Sequence, residues 1–249
     1  MADSSGADAL PLADPVHPTA LEALRPLAST EVTVTPPSTQ RPSLSHREVY
    51  TSRGLLTVLR HRAPTAVTPH RAAIVACGGA MGGVLGPGHG LYQRLGERWA
   101  RCGVEFARVG YREPNNLDLC AHDLACGVEL VRDAGADRVV VMGHSFGGAV
   151  AIRTAVIMPV SVAGVVTFAT QSAGCEVAGA LASRPLLLFH GDCDELLPPE
   201  ASRVVAAIAG HGEVEILPGD GHLLAESDDL IVDRLDAWIA AVLNLPTPY

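Results

Sequence analysis

An α/β fold, with a mostly parallel central sheet and helices on both faces, is predicted by three observations in this 249-residue chain. Short, continuous apolar runs recur along it. Stretches with helical spacing separate them, and the alternation continues to the C-terminus. Runs of this length without polar alternation are expected of strands buried on both faces, as in parallel sheets.

The elements follow in order. Residues 1–44 are rich in Pro, Ser, Thr and Ala without a sustained period, and predict a flexible extension with at most a helical turn around Leu21 to Leu27. Residues 45–249 form the expected single domain. It opens with REVYTS and LLTVLRH flanking Arg53 and Gly54, an antiparallel hairpin pattern. Strands are then expected at RAAIVAC (71–77), VEFARV (104–109), RVVVM (138–142), VAGVVTF (162–168), PLLLF (185–189) and VEIL (214–217). Between them lie LYQRLGERWA, LDLCAHDLACGVELVRD, GGAVAIRTAV and PEASRVVAAIA, and after them residues 223–244, all helical in pattern. In that last stretch Ile231, Leu235, Trp238, Ile239 and Val242 share one face.

Composition narrows the function. A formal charge of −9 disfavours binding to phosphate backbones, so no nucleic-acid partner is expected. No run of about 18 apolar residues occurs, which argues against a spanning helix. All 18 basic residues are Arg, a compositional bias with no functional reading. Nothing at the start resembles a secretory signal. The six cysteines show neither Cys-x-x-Cys pairs nor zinc spacing, so neither metal nor cofactor is expected, and a reducing, cytoplasmic setting fits buried thiols. Nothing in the chain bears on oligomeric state.

The chemistry gathers around GHSFGG, residues 143–148. With 25 glycines in the chain, a Gly-x-Ser-x-Gly arises by chance in roughly one such sequence in eight. Position adds the information. In parallel sheets functional groups lie beyond the carboxyl ends of strands, and Ser145 lies just past RVVVM, after Gly143 and His144. A serine nucleophile needs a base, a group to orient that base and donors for the oxyanion. Past PLLLF the chain reads His190, Gly191, Asp192, Cys193, Asp194, and past VEIL it reads Pro218, Gly219, Asp220, Gly221, His222. Serine, acid and histidine thus follow three strand ends in that order, with Asp192 and Asp194 both available as the acid.

With these residues the sequence resembles the α/β-hydrolase superfamily over roughly residues 46–249. The resemblance implies Ser145 as nucleophile on a strained elbow, His222 as base and Asp194 as acid, because Asp-x-x-Leu-Pro at 194–198 is similar to the usual Asp-x-x-Val-Pro. It implies an oxyanion hole from the backbone N–H of Phe146 and of Gly79, with Ala80 next in line, in CGGAMGG (77–83), where Cys77 replaces the more usual His. His144 is expected to point away from the nucleophile, His190 to fix the acid loop and His122 to pair with Asp118. Ala80, Met81, Leu85, His89, Tyr111, Phe146, Leu196, Leu197 and Leu223 are candidates for the substrate pocket. Only ATQSAGCEVAGALASR separates VAGVVTF from PLLLF, so no lid domain fits. The implied protein is a compact serine esterase, similar to dienelactone hydrolases but with Ser145 in place of their Cys. A peptidase, thioesterase or acyltransferase differs only in leaving group and acceptor. A non-catalytic binding protein is the contrasting class.

Overall fold

The computed structural model describes residues 19–248. Nine strands form one sheet: β1 (Ala28–Thr35), β2 (Ser43–Thr51), β3 (Gly54–Arg62), β4 (Ala72–Cys77), β5 (Glu105–Gly110), β6 (Arg138–His144), β7 (Val162–Phe168), β8 (Leu186–Gly191) and β9 (Glu213–Leu217). Their order is β1-β2-β3-β5-β4-β6-β7-β8-β9. β1, β2 and β3 pair antiparallel, as does β3 with β5, and every pairing from β5 through β4 to β9 is parallel. Each predicted strand is present: β7 has the predicted bounds, β2 begins four residues before REVYTS, and the other boundaries shift by at most two residues.

Both faces are covered, which is why the central strands lack polar alternation. β4, β6 and β8 expose nothing along their apolar runs. Helices α3 (Leu117–Asp133), α4 (Phe146–Ile157) and α5 (Glu200–Ala209) cover one face, through side chains such as Leu124, Val131, Ile152 and Val205. Helices α2 (Leu91–Arg101) and α6 (Asp228–Leu243) cover the other with Leu95, Trp99, Ile231, Leu235 and Trp238. The helix expected from Leu223 begins only at Asp228, because the preceding residues form a loop. There Leu224 N donates to Gly221 O at 3.1 Å, and Glu226 N to Asp220 Oδ1 at 2.9 Å. Between β7 and β8 lies one short 3-10 helix, Glu176–Leu181, and no lid domain.

The N-terminal expectation needs correction. The boundary predicted at residue 44 falls inside β2, and the described part of the presumed extension is ordered structure. A helical turn α1 (Ala20–Ala23) docks on α3, where Glu129 accepts from Ala20 N at 2.7 Å and Leu21 N at 2.8 Å. Leu24 is buried, and β1 adds an edge strand beyond the predicted hairpin. β1 buries neither face, so no core imposes a hydrophobic pattern on it. Its signal is only the β-branched run Val32, Thr33, Val34, Thr35 between prolines. The rest of that expectation, residues 1–18, lies outside the described residues.

Candidate active site

The turn from β6 into α4 is forced by its glycines. A β-carbon at Gly143 would collide with the Gly147 carbonyl, and one at Gly147 with the carbonyl of Gly78. Only bare backbone lets strand, helix and neighbouring loop approach this closely. Ser145, at the apex, has φ 56° and ψ −120°, a conformation that costs a non-glycine residue about 1–3 kcal/mol and lifts its side chain clear of the sheet. Phe146 is the first helical residue of α4, so its N–H has no carbonyl one turn earlier.

The loops beyond β8 and β9 are stitched together. Asp192 N donates to Leu217 O at 3.1 Å and Cys193 N to Asp220 O at 3.0 Å. This brings Asp194 Oδ2 to 2.8 Å from His222 Nδ1. Asp194 Oδ1 accepts from both Leu196 N and Leu197 N at 2.8 Å. Burial favours the protonated acid, but those two amides and His222 outweigh it and hold the carboxyl below its usual range. The bond to Asp194 leaves His222 with its proton on Nδ1 and a bare Nε2. Asp192, the rival acid, is exposed and spends Oδ1 on Gly219 N at 2.7 Å.

His190 is fully buried behind this pair. Its Nε2 faces Leu197 O and Asp194 Oδ2, both at 3.1 Å, and its Nδ1 meets Ser202 Oγ at 2.7 Å. Nε2 must therefore donate, and burial lowers the pKa of the ring. His144 likewise turns from Ser145, placing Nε2 3.0 Å from the His222 carbonyl oxygen. Asp118 pairs with Arg153 at 2.6 Å, whereas His122 reaches Ala20 O at 2.8 Å, so their expected pairing does not form.

The loop after β4 comes up against the elbow: a β-carbon at Gly79 would lie 3.6 Å from Ser145 Cβ. Gly79 also closes a tight turn, its carbonyl accepting from Gly82 N at 3.0 Å, with Ala80 and Met81 at the tip. Two side chains that the sequence does not single out for this task brace the loop. Tyr92 donates to Cys77 O at 3.1 Å, and Tyr111 to Gly78 O at 2.9 Å. Tyr111 also meets Phe146 edge-on, with ring centroids 6.3 Å apart, so it is buried support and not an open pocket wall. Cys77 is buried and inert, its thiol pushed up to about 12 by desolvation. A cleft of about 160 Å³ runs beside this loop, lined by Gly78, Gly79, Val84, Leu85, Gly86 and His144.

Of the other pocket candidates, Met81 (94% exposed), Leu196 and Leu223 project from the three loops around Ser145, and Leu197 is half-buried. His89 stands apart, 74% exposed, with Nδ1 3.1 Å from Asp228 Oδ2 in a groove that Arg94 and Ser227 also line. Among the described residues no cluster of three or more His, Cys, Asp or Glu could hold a metal ion, and no helix is long and apolar enough to cross a membrane.

Comparison with known proteins follows the same lines. The model of a phospholipase/carboxylesterase family matches residues 118–227, a span that includes Ser145, Asp194 and His222. No curated protein matches the chain by sequence. Among solved structures, Est1E from Butyrivibrio proteoclasticus superposes with a TM-score of 0.65 at 14% identity, covering 80% of this chain and 99% of its own. An α/β serine hydrolase without a lid from Xanthomonas campestris gives 0.58 at 17%, covering 86% and 96%. A dienelactone hydrolase from Anabaena variabilis gives 0.59 at 15%, covering 81% and 98%.

Proposed function

In a chain with the α/β-hydrolase fold, we propose a serine hydrolase that cleaves carboxylic esters through an acyl-enzyme. The observation that carries the reading is the hydrogen bond at 2.8 Å from His222 Nδ1 to Asp194, each residue lying past a strand end, together with a serine in a strained backbone conformation past a third. The family match and the shared fold with esterases support it.

Each step has a residue. Ser145 Oγ attacks the ester carbonyl carbon as His222 Nε2 takes the hydroxyl proton, and the carbonyl electron pair moves onto oxygen. The N–H groups of Phe146 and Gly79 face that oxyanion, the former reinforced by the positive end of α4. Asp194 keeps His222 in the tautomer with Nε2 bare and stabilises the imidazolium. Collapse of the tetrahedral centre breaks the bond to the alcohol oxygen, which takes the proton from His222. Water then repeats the sequence on the acyl-enzyme, its proton passing through His222 to Ser145, and the acid leaves.

Without a lid the site is open, and the apolar side chains around it, Met81, Leu196 and Leu223, suit an apolar acyl or alcohol group. Est1E, solved with ferulic acid bound, gives one example of such a group on this fold. The test is hydrolysis of a short-chain nitrophenyl ester by Ser145→Ala. A loss of at least about 10³ in kcat is expected, and unchanged turnover would overturn the reading. A panel of esters, thioesters and peptides then sorts the leaving group.

A further inference from the structure

His144 is the last residue of β6 and adjoins the nucleophile. Its ring is 9% exposed and packs where three segments of the site meet. On one side is the elbow itself. On the second is the loop after β4, since a β-carbon at Gly79 would lie 3.7 Å from His144 Nδ1. On the third is His222, with ring centroids 5.0 Å apart and planes at 50°. His144 Nε2 lies 3.0 Å from the His222 carbonyl oxygen. A carbonyl only accepts, so Nε2 carries the proton, and the uncharged ring keeps Nδ1 bare. Burial, which pushes the ring down to about 4, keeps it uncharged across neutral pH.

We propose that His144 is a positioning residue for the reaction, fixing the main chain of His222 to the residue beside Ser145 through its Nε2–H bond to the His222 carbonyl. The proposal rests on the serine hydrolase reading. Asp194 sets the rotation of the His222 ring but not the place of its backbone. The amide of His222 has only a long bond, 3.3 Å, to the flexible carboxylate of Glu195, an exposed residue. The bond from His144 runs instead from the nucleophile's own neighbour to the base's own carbonyl. The spacing of base and nucleophile is thus set over two residues and one hydrogen bond. A displacement of about 1 Å at such a pair costs on the order of 100-fold in rate.

Three substitutions separate this role from packing. Gln places an amide N–H near the position of Nε2, Asn holds the same group too short, and Leu fills the space without a donor. The measurements are the rate at which a fluorophosphonate labels Ser145 and the kcat and KM for a short-chain nitrophenyl ester, on variants that melt cooperatively. His144→Leu and His144→Asn are expected to lose on the order of 10-fold in labelling rate and kcat with KM within about threefold, and His144→Gln to recover most of both. Should His144→Leu fail to fold, the comparison of Gln with Asn decides. Full activity in His144→Leu or His144→Asn, a Gln variant no faster than Asn, or a change confined to KM would overturn the proposal. Wild-type protein unlabelled at Ser145 would overturn the hydrolase reading and this role with it, whereas labelled wild type with unaffected variants overturns the role of His144 alone.

Discussion

His61 and His144 are 2% and 9% exposed, and both are pushed down to about 4, in each case chiefly by burial; Arg108 adds to the effect at His61. In the unfolded chain an imidazole titrates near about 6.5. Between those values the unfolded state binds more protons than the folded one, so stability rises with pH across the window. The contribution is fully present above about 6.5 and is lost as pH falls toward 4. Asp194 acts in a separate range: its lowered pKa adds stability above the ordinary carboxylate value and loses it only below. Urea unfolding should therefore show a free energy that falls between pH 6.5 and 4.5. In His61→Gln that slope should be reduced, by up to about 1.4 kcal/mol per pH unit for the one proton removed. An identical slope in the variant would show that His61 is not held neutral by the fold.

At the scale of elements, the elbow and the loop after β4 act as one unit, because Gly147 makes room for the Gly78 carbonyl and Tyr111 holds that same carbonyl at 2.9 Å. Gly147→Ala puts a side chain into backbone and should destabilise the protein by at least about 3 kcal/mol. Tyr111→Phe keeps the ring against Phe146 and loses one hydrogen bond, about 1 kcal/mol of stability. If the N–H of Gly79 is an oxyanion donor as proposed, the expected signature is a several-fold fall in kcat with KM unchanged, measured with the nitrophenyl ester, because the loop is freed. A rise in KM alone would mean that the loop contacts substrate and transition state equally. Much of this unit was legible in sequence. The glycines at 143 and 147 stand at offsets that the turn itself demands, and Asp194 and His222 each follow a strand end. The brace was not. Tyr92 and Tyr111 lie on the two sides of β5, and which carbonyl each hydroxyl meets depends on how α2 and the loop after β5 pack, a tertiary outcome without a local signature.

Across the whole molecule, legibility followed burial. The strands covered on both faces and the amphipathic α6 carry patterns imposed by the core, and the sequence shows them. α1 and β1 lie at the edge, where nothing imposes a pattern, and there the expected extension proved to be structure. Leu24 makes the difference measurable. It is the one buried residue of the stretch 19–35 and joins the core cluster under α3. Glu129, which anchors the start of α1, lies in the last turns of α3, whereas the Asn116 end of that helix follows the carboxyl end of β5 on the side of the active site. Among the described residues, the side-chain hydrogen bonds that hold α1 to the domain come from Glu129 and His122 of α3, and none comes from the loops that carry Ser145, Asp194 and His222. Leu24→Ala removes a buried side chain near the surface and should cost about 2 kcal/mol, the low end for such truncations. For a domain of this size that lowers Tm by about 4–8 °C. Labelling of Ser145 by a fluorophosphonate at 25 °C should proceed at the wild-type rate. An unchanged Tm would mean that α1 contributes nothing to the fold in solution, and slowed labelling would mean that the N-terminal segment supports the site across the length of α3.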